Sequence, residues 1–111
     1  MNTDTTSERI RSLNDDMRRY LTDGTMFFSR GVAALPAADQ AAIVDRVRTF
    51  EDFTPAADPY GEHDFGAFEH NSRKIFWKVD CYDRALRHGS PDPADPAVTR
   101  RVLTVMLAEE Y

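Results

Sequence analysis

Glu62-His63-Asp64, Lys78, Asp80 and Asp83 bring a histidine, a lysine and four carboxylates into one short stretch of chain, flanked by Tyr60 and Tyr82. A carboxylate beside a histidine stabilises the imidazolium, and such pairs orient and tune general bases. One reading is therefore a small acid–base or metal-assisted hydrolase using His63 and Asp80, with Glu62 and Lys78 assisting. A second reading is a surface for a protein partner, made by Tyr60, Glu62, His63, Phe65, Lys78, Asp80, Tyr82 and Asp83. A third is a cross-strand pair that only fixes register, worth a few tenths to about 1 kcal/mol. No H-E-x-x-H, C-x-x-C or EF-hand spacing occurs, so no metal site and no cofactor is expected. The chain also lacks a nucleophile elbow, a P-loop and a dinucleotide fingerprint.

These residues need a rigid element to converge, and the stretch from 62 to 82 reads as a β-hairpin. Asn71-Ser72 suits a two-residue turn, because Asn tolerates positive φ. That turn sets His70 opposite Arg73, Phe68 opposite Ile75, Gly66 opposite Trp77, Asp64 opposite Val79 and His63 opposite Asp80. Alternation then gives a core face of Gly66, Phe68, Ile75, Trp77, Val79 and Cys81. Gly66 leaves room there for the indole of Trp77. The other face carries His63, Phe65, Ala67 and Glu69 with Lys74, Phe76, Lys78, Asp80 and Tyr82. Phe65 and Phe76 could stack bases, but the negative charge beside them favours cover by protein.

The rest of the chain supplies the support. Thr5 and Glu8 fit a capping box, and Ile10, Leu13, Met17 and Leu21 recur at helical spacing, which predicts a helix over 6–21 with residues 1–4 frayed. Arg11, Asp15 and Arg18 are expected on its solvated face. Asp23-Gly24 ends it, with Gly24 as the left-handed stop. Thr25 to Arg30 reads as a strand broken by Gly31, and Pro36 to Phe50 as a second helix with Ile43, Val44, Val47 and Phe50 inward. Phe50 and Phe53 anchor a proline-rich loop. A polar bend over 84–88 and a loop with three prolines follow. Asp95 caps a third, deeply buried helix bearing Val98, Val102, Leu103, Val105, Met106 and Leu107. The expected fold is α+β: one domain over 1–111, with a small antiparallel sheet of about three strands and three helices packed on it.

Composition narrows the function classes. The chain has 111 residues, 41% hydrophobic and 30% charged, which suits a globular domain able to bury a modest core. Its net charge is -5, and Lys74 and Lys78 are its only lysines. Without a basic block, nucleic acid is not an expected partner. Cys81 is the single cysteine, so no internal disulfide forms and a cytoplasmic location is expected. No apolar run reaches signal-peptide or membrane-spanning length. The oligomeric state is not legible.

Asp58-Pro59-Tyr60-Gly61-Glu62-His63-Asp64-Phe65-Gly66, Trp77-Lys78-Val79-Asp80, Tyr82-Asp83, Ser90-Pro91-Asp92-Pro93-Ala94-Asp95-Pro96 and the run from Arg101 to Tyr111 resemble domain-of-unknown-function family 3768. The resemblance covers nearly the whole chain and is weakest before Arg30. Cys81 stands where the family is expected to have an aromatic, and Asn71-Ser72 where Asp-Gly is expected. The family carries no assigned catalytic residues. It implies an alphaproteobacterial protein of plasmids and mobile elements, with an accessory role near anti-restriction and plasmid-maintenance genes. Together these observations favour a protein-binding module, acting against host defence of the anti-restriction or anti-CRISPR type, over the hydrolase.

Overall fold

The computed structural model describes residues 6–111. The predicted Thr5 cap and frayed residues 1–4 lie outside them. Helix α1 (Thr6–Tyr20) leads into strand β1 (Gly24–Phe28), the short helix α2 (Arg30–Ala33) and helix α3 (Ala37–Arg48). After a loop come β2 (Phe65–His70), β3 (Arg73–Tyr82) and β4 (Arg100–Leu107). The sheet order is β1-β4-β3-β2, with β1 parallel to β4 and the other pairs antiparallel. The fold is α+β as expected, but its sheet is mixed and has four strands.

The extra strand is the expected third helix. Asp95 does cap a helical turn: its Oδ1 accepts from the Ala97 N–H at 2.9 Å, and Pro96 opens a 3-10 turn over Pro96–Val98. That turn stops, and residues 100–107 extend. A continuous apolar run suits a helix or a central strand equally by periodicity. Here Val102, Thr104 and Val105 favour the pleated surface. Val102 and Met106 on its open face interleave with Leu103, Val105 and Leu107 on its core face, which is why no clean alternation marked it. Its insertion separates β1 from the hairpin.

All three helices pack on one face of the sheet. Met17, Val32, Ile43 and Val47 meet Phe68, Ile75, Trp77, Val79, Leu103, Val105 and Leu107 in one core cluster. Trp77 is its centre, fully buried, and a Cβ at Gly66 would lie 2.3 Å from the indole Nε1. The missing side chain is therefore what admits the indole, as the register predicts. Phe50 and Phe53 meet Trp77 edge-on, with ring centroids 5.5 and 6.0 Å away.

Two local readings are corrected. Gly24 is not the left-handed stop after α1; Leu21 (φ 56°) and Asp23 (φ 52°) take that conformation. Gly24 opens β1, where a Cβ would meet Met17 Cγ at 2.7 Å and the Arg101 carbonyl at 2.9 Å, so it is needed for space. Gly31, read as a break, lies inside α2, with its N–H held by Glu110 Oε2 at 2.8 Å. None of the helices of the described residues is long and apolar enough to cross a membrane.

Candidate functional site

The hairpin forms on the predicted turn. Asn71 and Ser72 both have positive φ, 50° and 66°, as a two-residue turn of the primed kind requires. The register runs His70↔Arg73, Phe68↔Ile75 and Gly66↔Trp77, and the Val79 N–H donates to the Asp64 carbonyl at 2.8 Å. One residue further the prediction fails. His63 has φ 56° and leaves the strand. Its N–H, like that of Glu62, donates to Asp58 Oδ1, at 3.2 and 3.1 Å. Asp58 is buried, and its carboxylate gathers the loop so that His63 turns toward the helices. The predicted His63–Asp80 pair does not form.

His63 instead joins a polar network beneath α1. Its Nδ1 lies 2.9 and 3.1 Å from the Asp15 oxygens, its Nε2 lies 3.7 Å from Asp58 Oδ2, and its ring stacks on Phe53 with centroids 3.6 Å apart. Asp15 also accepts from Arg18 at 3.0 Å. Of the expected solvated face of α1, Arg11 stays partly exposed, Asp15 is largely covered and Arg18 has no exposed surface. The guanidinium lies 5.0 Å from the Trp77 ring centroid and 5.5 Å from that of Phe53. It donates to the Val47 carbonyl at 2.7 Å and the Arg48 carbonyl at 3.2 Å, at the C-terminus of α3. The negative end of that helix dipole complements it. Burial pushes the Arg18 pKa down, opposed by the hydrogen bond to Asp15. Among the described residues, the Arg18 Nε and the Trp77 Nε1 are buried without hydrogen-bond partners.

Glu62 sits between the loop and α1. Its carbonyl accepts from Asn14 Nδ2 at 3.0 Å, while Asn14 Oδ1 accepts from Arg101 Nε at 2.7 Å. Arg101 is itself buried and also reaches the Pro93 carbonyl. Burial first, then Asp64 and Asp58, raises the Glu62 carboxyl pKa. Asp64 is raised by burial too, with smaller contributions from Asp58 and Asp80. Burial likewise raises the Cys81 thiol, which stays protonated. Tyr60 is 75% exposed at the loop tip. Asp83 holds the bend after β3, accepting from the Arg87 N–H at 3.0 Å, and that bond lowers its pKa.

Phe65, Lys78, Asp80 and Tyr82 lie on the sheet face opposite the helices. Lys78 pairs with Asp80, and that hydrogen bond raises the lysine pKa. Cross-strand rows on this face follow the register: Ala67, Phe76 and Met106; then Phe65, Lys78, Thr104 and Phe27; then Asp80, Val102 and Thr25; then Tyr82 and Arg100. Phe65, Phe76 and Tyr111 form an aromatic triad with centroids 5.1, 5.6 and 6.2 Å apart. Phe27 is 55% exposed and Tyr111 76%.

The structure thus divides the predicted site. Phe65, Lys78, Asp80 and Tyr82 share the open face, while Glu62 and His63 belong to the network under α1. Tyr60 and Asp83 stand apart from both groups. Sequence reasoning missed Asp15, Asp58, Arg18 and Phe53 around His63, and Phe27, Arg100 and Tyr111 on the open face. Asp58, inside the Asp-Pro-Tyr-Gly turn, was the one local signal. Aspartate there commonly binds backbone N–H groups ahead of it.

Residues 28–110 match the family model described as Protein of unknown function (DUF3768), which is most of the chain. No curated protein and no solved structure matches it.

Proposed function

We propose that this chain, which belongs to the DUF3768 family, is a protein-binding module that works through the open face of its sheet. The observation that carries the reading is the one-sided packing. The three α-helices of the described residues cover the same face, and the other presents Phe27, Phe65, Phe76 and Tyr111. An apolar patch rimmed by charge is the usual anatomy of a protein interface, in which aromatic anchors carry most of the energy. Lys78 and Thr104 lie between Phe65 and Phe27 in one cross-strand row, and Asp80, Tyr82 and Arg100 continue the polar surface beside them.

The mobile-element setting implied by the family resemblance makes a host defence component of restriction or CRISPR type the expected partner. The hydrolase reading has less support. The pair it needed is not formed, and His63 is held by Asp15, Asp58 and Phe53. The test is co-purification from a native host with wild type, Phe27→Asp and Tyr111→Asp. Both side chains are exposed, so both variants should melt as wild type does. The expected result is a partner retained by wild type and lost by the variants, together with protection from restriction or interference. Unchanged retention by both variants would remove the open face from consideration.

A further inference from the structure

We propose that the free edge of β2 accepts an extended, lysine- or arginine-bearing segment of another protein as an added strand. This surface is separate from the open face. In an antiparallel pair, alternate residues direct their N–H and C=O groups to the partner strand. His70 and Arg73 close the turn, so His70, Phe68 and Gly66 bond to β3. The Val79 bond to the Asp64 carbonyl continues that series. Phe65, Ala67 and Glu69 therefore turn their backbone groups to the outer edge. Arg46 Nη1 takes the Glu69 carbonyl at 3.0 Å, which confirms the direction. The Ala67 groups have no such partner among the described residues.

Edge strands are usually blunted by proline, lysine, a bulge or a covering loop. β2 has Glu69 and the Arg46 contact at one end only, while Phe65-Gly66-Ala67 carries none of these guards. A groove of about 350 Å³ runs beside the edge, lined by Arg46, Thr49, Phe50, Glu51, Asp52 and Glu69 among others. An added strand would drop alternate side chains into this groove, which is how strand-adding sites combine main-chain affinity with side-chain selection. The charge balance sets the occupant. Glu51 and Asp52 are exposed carboxylates on the helix side of the groove, while the Glu69 side chain alternates to the open face beside Lys74. Arg46 is the one base lining the groove among the described residues, and its guanidinium is spread over the Phe68 ring at 4.5 Å. Basic side chains on the incoming segment complement that set.

The test uses the 15N-labelled full chain and two capped peptides, one alternating valine with lysine and one alternating valine with glutamate. The lysine peptide should shift the Ala67 and Glu69 amides and slow exchange at Ala67; the glutamate peptide should not. Ala67→Pro removes the outward N–H at an edge position where proline is tolerated, and should weaken binding at least about tenfold. Glu51→Lys combined with Asp52→Lys should switch preference to the glutamate peptide. Equal binding of both peptides, shifts away from β2, or a folded Ala67→Pro that binds as wild type would each overturn the proposal. If Ala67→Pro does not fold, the charge reversal decides alone. A concentration-dependent dimer that excludes the peptide would assign the edge to a second copy of the chain and overturn it as well. Partner capture that depends on Phe27 reports on the open face and peptide binding on the edge, so either can fail without the other.

Discussion

His63 shows how one residue changes role when its backbone leaves a strand. Extended, it would have faced Asp80. With positive φ it faces Asp15 and stacks on Phe53. Coupling energy separates the two arrangements, since residues in one network interact and distant ones add. A double-mutant cycle of His63→Ala with Asp15→Ala should give a coupling of about 0.5–3 kcal/mol, and the cycle with Asp80→Ala close to zero. Chemical denaturation of the four variants in each cycle is the check. A large coupling to Asp80 instead would restore the cross-strand pair and its chemistry.

The hairpin is the element on which both candidate surfaces are built. It presents Phe65, Lys78, Asp80 and Tyr82 on one face and the free edge of Phe65-Gly66-Ala67 at its side. In its turn, Ser72 adopts φ 66° with a Cβ in place. The left-handed conformation costs a residue with a Cβ roughly 1–2 kcal/mol, part of which Gly would return as greater freedom in the unfolded chain. Ser72→Gly should therefore stabilise the protein by about 0.5–1 kcal/mol without moving the strands. Thermal melting reads the gain, and a loss of stability would show that Ser72 makes contacts beyond its conformation. Asn71 is better left unchanged, because its Nδ2 donates to Asp39 Oδ1 at 2.9 Å, tying the turn to α3.

Across the whole molecule, two carboxylates at opposite places impose opposite pH dependences. Glu110 accepts from the Ser29 hydroxyl, the Gly31 N–H and the Leu107 N–H, joining the end of β4 to α2. The Ser29 bond leads the lowering of its pKa. Its stabilisation is present above the ordinary carboxylate range and is lost as pH falls through the depressed value. Glu62 is the reverse case, raised mainly by burial. Its contribution is present below the ordinary range and is lost as pH rises through the raised value. Glu62→Gln should thus raise the melting temperature near neutral pH, with the gain fading under acid conditions. Glu110→Gln should lower it near neutral pH, with the loss fading in the same direction. Melting curves across acid to neutral pH test both signs; a pH-independent effect of either variant would point to packing rather than charge.

The sequence by itself determined the hairpin: its turn, its register from Asp64 to Arg73, and the fit of Trp77 over Gly66. Those features follow from local rules, since a two-residue turn sets pairing and alternation sets faces. α1 and α3 were legible for a similar reason, because amphipathic period marks a helix that buries one side. Only the tertiary structure decided that residues 100–107 form a central strand. With Val102 and Met106 on the open face and Leu103, Val105 and Leu107 on the core face, the run carries neither period cleanly. It also decided that Arg18 is buried and that His63 faces α1. Arg18 needs Phe53, Trp77 and the end of α3 around it, and His63 needs the Asp58 carboxylate and Asp15. Asp58 is a near neighbour of His63 in sequence, but the others are distant in the chain, and folding alone brings them together.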